Sequence, residues 1–307
     1  MDLEKQKTHY IKRLYLYIKD NPYKNYFKIL LSVIILVIIF FKIKNTSDIG
    51  NVFLPIIKTT SVKSLVMLLL ISVMKFFTQV FNWYYVLKIN QDYDCTFRQV
   101  IKTHTIGLAL RFFMPGGHAT FGKVFYINPD KKKETFFSII AEKFFQSWII
   151  WFFAIWSFLF YYDKNYLLVL FIALLITFVP FIIPKIFKRH IPYMTIFNYY
   201  KILPKVILSQ ILFVFMTFIQ YYLILSQLTQ IRFFNTAISV SLILVANTIP
   251  ITFSGLGLRE TAATIVLPKY GIPIELAVGT SLCIFVLNSV IPALPGVFLI
   301  SSKNKGK

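Results

Sequence analysis

Carboxylates are scarce in this sequence: 12 Asp and Glu stand against 33 Lys and Arg. Charge of either sign is scarce as well, at 15% of 307 residues, where soluble domains carry about 25%. That shortage excludes an ordinary soluble globular domain. Two cysteines, Cys95 and Cys283, give neither a disulfide framework nor a metal-binding spacing, and the four histidines (His9, His104, His118, His190) are scattered. There is no G-x-S-x-G, no H-E-x-x-H, no Walker loop and no acidic motif that would hold Mg²⁺. No enzyme, cofactor or metal is therefore expected. No cleavable signal peptide is expected either, because the chain stays polar too long before Ile29 and no small-residue cleavage pattern follows.

What is present is hydrocarbon. Hydrophobic residues make up 57% of the chain and the mean hydropathy is +0.68. The class that follows is an all-α polytopic membrane protein. The net charge of +21 then belongs to loops and tails facing anionic headgroups, and not to a nucleic-acid surface.

Apolar runs at 24–43, 63–88, 136–160, 165–187, 205–228 and 274–299 each hold roughly the 20 residues that a ~30 Å hydrocarbon layer requires. Six spanning helices are expected there. Residues 1–23 include "THYIKRLYLYIKD" (8–20), where Ile11, Leu14, Tyr15 and Ile18 share one helical stripe. This segment reads as an amphipathic helix in the headgroup layer, or else as an unstructured basic tail. The transmembrane domain then covers 24–303, and 304–307 form a basic tail.

Two further apolar regions are broken in the middle. Residues 100–127 contain "RFFMPGGHATFGK", and 235–268 contain "NTIPITFSGLGLRETAA". Each half is marginal as a span, and irregular backbone at membrane depth survives only when protein or a watery cavity covers it. Two broken, re-entrant helical hairpins are the expected form. With a cytoplasmic N-terminus, the segments 88–102, 130–134 and 185–205 and the tail fall inside; the outer loops 161–165 and 229–234 are left with one basic residue each, while the first outer loop, 42–62, carries Lys42, Lys44 and Lys58 against the pattern. The halves 24–160 and 165–300 then enter from opposite sides. Pro115 and Pro250 are each followed seven residues later by glycine (Gly122, Gly257) and then by a cation (Lys123, Arg259). Either the halves form an inverted repeat, as in many transporters, or two Gly-rich turns are alike by chance.

Ionisable groups inside a bilayer cost about 2.5–3.5 kcal/mol each, so each one marks a candidate site. Lys75, Gln79 and Asn82 form one polar stripe, and Glu142 and Gln146 form a second with Ser138. Asn288 marks the last helix, while Gln210, Thr217 and Gln220 add weaker polarity to the sixth crossing. These stripes read as cavity lining, with Glu142 as a candidate proton carrier. The alternative is that Lys75 pairs with Glu142 and the rest tie helices together. Lys143 is expected to snorkel. Helices starting after Gly257 and near Gly122–Lys123 would aim free N–H groups and positive dipole ends at an anion, beside Arg259 and Arg111. The candidate binding set is Arg111, Gly116, Gly117, Lys123, Asn247, Ser254, Gly255, Gly257, Arg259 and Glu260. Glu260 is expected to cap its helix or to pair with Arg259.

"SGLGLRE" followed by "AA", then "GIP" (271–273) and Ala277, resembles the second signature of the flippase-like family named after the transmembrane region of lysylphosphatidylglycerol synthetase. "MPGGHATFGKVFYI" (114–127) is similar to its first signature, and "AEKFF" (141–145) to the Glu-Arg pair opening its next helix. The likeness covers about 25–300, and the second signature is its specific part. Ser254, Ala119, Thr120, Lys123 and Lys143 depart from the family pattern, which leaves the headgroup open more than the fold. The resemblance implies an inner-membrane protein that translocates an anionic phospholipid or a polyprenyl-phosphate-linked amphiphile. It implies no tRNA-dependent aminoacylation, because the chain shows no soluble aminoacyltransferase domain. The other readings are a membrane transferase and a non-catalytic scaffold of envelope synthesis. Expected partners are membrane lipids, with a homo-oligomer or cell-envelope enzymes as further candidates and no nucleic acid.

Overall fold

The structure, a computed structural model, describes residues 60–90, 94–112, 115–127, 131–162, 167–186, 193–249 and 255–301. The expected interfacial helix, the span at 24–43 and the basic tail lie outside the described residues. Among those described, all regular structure is helical: α1 (Val62–Leu87), α2 (Phe97–Leu110), a 3₁₀ run (Pro115–Tyr126), α3 (Lys132–Tyr161), α4 (Leu167–Ile186), α5 (Tyr193–Leu228), α6 (Phe233–Val245), α7 (Leu258–Val266), α8 (Ile274–Phe285), a π turn (Val286–Val290) and α9 (Ile291–Ser301). Five stretches are long and apolar enough to cross a membrane, namely Val62–Leu87, Lys132–Tyr161, Leu167–Ile186, Thr195–Leu228 and Ile274–Ile300. Each corresponds to an apolar run read from the sequence. Their outer faces expose residues such as Leu69, Leu70, Val73, Phe171, Leu174 and Leu175, the surface that a lipid solvent requires.

The two interrupted regions fold back on themselves. A side-chain carbon placed on Gly107 of α2 would lie 3.2 Å from Lys123 Cδ, and one on Gly122 would lie 3.1 Å from Leu110. The arms of this hairpin therefore run side by side. In the second hairpin α6 packs against α7. At 1.5 Å per residue, the 14-residue α2 and the 13-residue α6 reach only about 20 Å, short of a full crossing.

Helix pairings are reciprocal between the halves. α1 packs on α5, and α2 packs on α9 as α6 packs on α3. The 3₁₀ run sits against α2 and α3 as α7 sits against α6 and α8. Exchanging α1 for α5, α2 for α6, the 3₁₀ run for α7 and α3 for α8–α9 reproduces this set of contacts.

Proline placement explains several side-chain bonds. Pro180 and Pro184 lie inside α4 and cannot donate to the carbonyls four residues earlier, those of Ile176 and Pro180. The Trp148 indole of α3 donates to the Ile176 carbonyl at 2.7 Å, and the Tyr199 hydroxyl of α5 donates to the Pro180 carbonyl at 2.8 Å. Tertiary contacts thus fill both gaps in the α4 ladder. α5 is longer than the sequence suggests, beginning at Tyr193 and running through Pro204. The expected inner loop 185–205 is therefore largely helix at its C-terminal end. A proline forfeits one backbone bond there, while Ile202, Leu203 and Val206 bury their side chains on the same stretch and hold it in register.

Candidate functional site

The interior holds a cavity of about 240 Å³ whose lining comes from both halves of the chain. From α1 come Ser72, Lys75 and Gln79; from α2, His104 and, just past its end, Arg111. α3 contributes Lys143 and Gln146, and α5 contributes Gln210, Thr217 and Tyr221. The second break contributes Asn247, Gly255 and Arg259, and the π turn contributes Asn288 and Ser289. Helical periodicity accounts for the grouping. Lys143, Gln146 and Ile150 are spaced i, i+3, i+7, as His104, Leu108 and Arg111 are spaced i, i+4, i+7, so each set shares one face.

Lys75, almost wholly buried at 3% exposure, donates to Thr217 Oγ1 at 2.7 Å and to Gln220 Oε1 at 3.0 Å. Its ammonium also lies 4.6 Å from the centre of the Phe213 ring. Lys75 does not pair with Glu142, as the alternative reading of the stripes supposed. Gln79 accepts from Gln146 Nε2 at 3.1 Å, so the two expected stripes meet across α1 and α3. Asn288 donates to Gln220 Oε1 at 2.7 Å. Its π turn, which no proline or glycine within 286–290 announces, places this amide on the cavity wall.

Two carboxylates lie behind the wall instead of on it. Glu142 forms an ion pair with Lys123, whose ammonium is 3.4 Å from the centre of the Trp83 ring. Both side chains are buried, and among the described residues neither lines the cavity. The expected helix start at Gly122–Lys123 is absent. The 3₁₀ run passes through both residues from Pro115 to Tyr126, so no free helix terminus points at a ligand there. Gly116 and Gly117 fall within the start of that run. Asn82 also departs from expectation: fully buried, it accepts from Ser209 Oγ at 3.2 Å and ties α1 to α5 without lining the cavity.

The second break is built by backbone geometry. Gly255 and Gly257 have φ +79° and +90°, the left-handed region that glycine alone enters freely. Gly257 then caps α7, and its N–H donates to Glu260 Oε2 at 2.6 Å. Glu260 Oε1 also accepts from Arg259 Nη2 at 3.3 Å and from Ser281 Oγ at 3.1 Å. Glu260 therefore both caps the helix and pairs with its neighbour. This corrects the open-terminus expectation: the positive end of α7 is answered by its own carboxylate, and among the described residues neither Gly257 nor Glu260 lines the cavity. Arg259 does line it, steadied by Ser281 at 3.2 Å and lying 5.0 Å from the Phe285 ring. Ser254 lies outside the described residues.

His104 and Lys143 were not among the expected site residues. Lys143 does not snorkel to an interface; it faces the cavity with Arg111. Its place was readable from its spacing to Gln146, one turn along the same face. Lining by Lys75, Arg111, Lys143 and Arg259, with no carboxylate among the described lining residues, gives a surface suited to anions.

Fold and site together define a multi-pass helical membrane protein whose two broken hairpins both line one cationic cavity. The chain belongs to the family described as Lysylphosphatidylglycerol synthase TM region, which matches residues 27–296. That membership points to a membrane protein of lipid or cell-envelope biosynthesis. No curated protein matches the chain.

Proposed function

We propose that this protein moves an anionic phospholipid, or a polyprenyl-phosphate-linked amphiphile, between the leaflets of the cell membrane. The observation that carries the reading is the cavity wall, with its four cations and no carboxylate among the described lining residues. A phosphorylated headgroup in that cavity satisfies the cations, while its tail stays in lipid against the apolar outer faces. The reciprocal packing of the two halves suits a mechanism in which each half opens in turn around one fixed site. Downhill exchange is the simplest driving force. The membrane is the inner one, with the N-terminus in the cytoplasm.

The test is leaflet exchange in reconstituted liposomes, scored with fluorescent phospholipids and polyprenyl phosphates. Wild-type protein is expected to accelerate exchange, and Arg259→Ala and Arg111→Gln to lower the rate at least about ten-fold, the scale of one desolvated charge contact. Absence of exchange for every lipid overturns the proposal in favour of a scaffold. Product formed from a lipid phosphate in detergent, where leaflets do not exist, would overturn it in favour of a transferase.

A further inference from the structure

The charge balance of the site sets the valence of its ligand. Five buried or lining cations surround the cavity: Lys75, Arg111, Lys123, Lys143 and Arg259. Two carboxylates answer them, and both are taken, Glu142 by Lys123 and Glu260 by Arg259. Lys75, Arg111 and Lys143 form no ion pair among the described residues, which leaves three basic side chains facing one space. The Lys75 ammonium is held by neutral oxygens and a ring, which solvate the charge without cancelling it. Apart from Glu260, the breaks add no negative charge of their own, because neither 111–123 nor 247–259 contains Asp or Glu. Like charges gathered in a membrane interior repel one another and are costly to keep.

A second observation points the same way. Gln210 is fully buried and lines the cavity. Its Oε1 accepts from Gln79 at 3.5 Å, while its Nε2 has no hydrogen-bond partner. A buried donor without a partner is costly, and this one belongs to a side chain of the cavity wall.

We infer that the cavity of this protein takes a phosphoryl headgroup carrying at least two negative charges, a phosphomonoester or a diphosphate, in preference to a phosphodiester and to the exclusion of a cationic, amine-bearing lipid. The inference rests on the transport reading for the lipid that carries this group, but not for the charge selectivity itself. A phosphomonoester carries about −1.5 to −2 at neutral pH, and a diphosphate ester carries more. Either offsets most of the three unanswered charges. A phosphodiester, with one negative charge, leaves two of them unpaired. An aminoacylated lipid would add a cation to the cluster.

The experiment measures binding apart from transport. The full chain in detergent micelles is titrated with short-chain polyprenyl phosphate and diphosphate, phosphatidylglycerol, a lysine-bearing phosphatidylglycerol and inorganic pyrophosphate, with the thermal unfolding midpoint as readout. Half-saturation by the monoester and diphosphate lipids is expected at concentrations roughly ten-fold or more below that for phosphatidylglycerol, with no shift from the lysine-bearing lipid. Lys143→Gln removes one of the three cations and is expected to weaken binding of the diphosphate lipid most, narrowing its preference over the monoester and over phosphatidylglycerol. A response to pyrophosphate equal to that of the lipid diphosphate supports the charge assignment with a free anion as ligand; a much weaker one supports it with a lipid. Equal binding of phosphatidylglycerol, or any stabilisation by the lysine-bearing lipid, overturns the inference. Liposome exchange without charge preference would overturn it while leaving transport standing. Selective binding without exchange would keep it and remove transport.

Discussion

Gly255 is the position where one added carbon does most harm to the site. Its φ of +79° disfavours any side chain, and a Cβ there would lie 2.3 Å from Asn247 Oδ1 across the same break. Gly255→Ala is expected to destabilise the fold by about 1–3 kcal/mol, the cost of a strained left-handed residue, and to displace Asn247 and Arg259 from the cavity. A lowered thermal midpoint together with lost lipid exchange checks this; an unchanged midpoint would refute it. The Lys123–Glu142 pair offers a second residue-scale test. Removing one partner of a buried ion pair costs about 3–5 kcal/mol because the other charge is stranded. Lys123→Met and Glu142→Gln should each be severely destabilised, and the double variant should be markedly more stable than their sum. Additive losses in a double-mutant cycle would show that the pair is not coupled.

At the scale of elements, the prolines of α4 and a glycine of α9 decide how helices meet. The Trp148 indole fills the hydrogen-bond vacancy that Pro180 creates at the Ile176 carbonyl. Trp148→Phe keeps a ring but orphans that carbonyl, with an expected loss of about 1–3 kcal/mol; restoring an N–H with Pro180→Ala in the same chain should recover part of it. Unfolding midpoints of the single and double variants decide the matter. A side-chain carbon on Gly296 would lie 2.2 Å from the Thr105 carbonyl oxygen and 2.9 Å from Ala109 Cβ, so α9 and α2 touch backbone to backbone, as small residues allow in membranes. Gly296→Leu is expected to push the first hairpin away from the last helix and abolish lipid exchange, whereas Leu294→Ala, on a partly exposed position, should be tolerated. Similar exchange rates for the two variants would sink this account.

For the whole molecule, the charge distribution supplies the expectation for which side faces the cytoplasm. Single cysteines placed by Thr229→Cys and Lys133→Cys, in a background where Cys95 and Cys283 are replaced by serine, should label differently. An impermeant thiol reagent is expected to reach position 229 from outside intact cells and position 133 only after permeabilisation. The reverse pattern would invert the topology without disturbing the fold.

The amino-acid sequence determined the membrane class, the five spans among the described residues and the location of both breaks. Those depend on hydrophobic length, on proline and on glycine, which act within a few residues of where they stand. The cap that Glu260 places on Gly257 was legible for the same reason. Tertiary structure alone decided which charges answer which. Lys75 found neutral oxygens on α5 where Glu142 stood as the nearest opposite charge in sequence logic, because helix packing brings α1 against α5 and sets Lys123 beside Glu142. It likewise turned Lys143 inward and filled the α4 vacancies from two other helices. Pairing between residues more than a hundred positions apart is set by which helix faces meet, and no local pattern in the chain encodes that meeting.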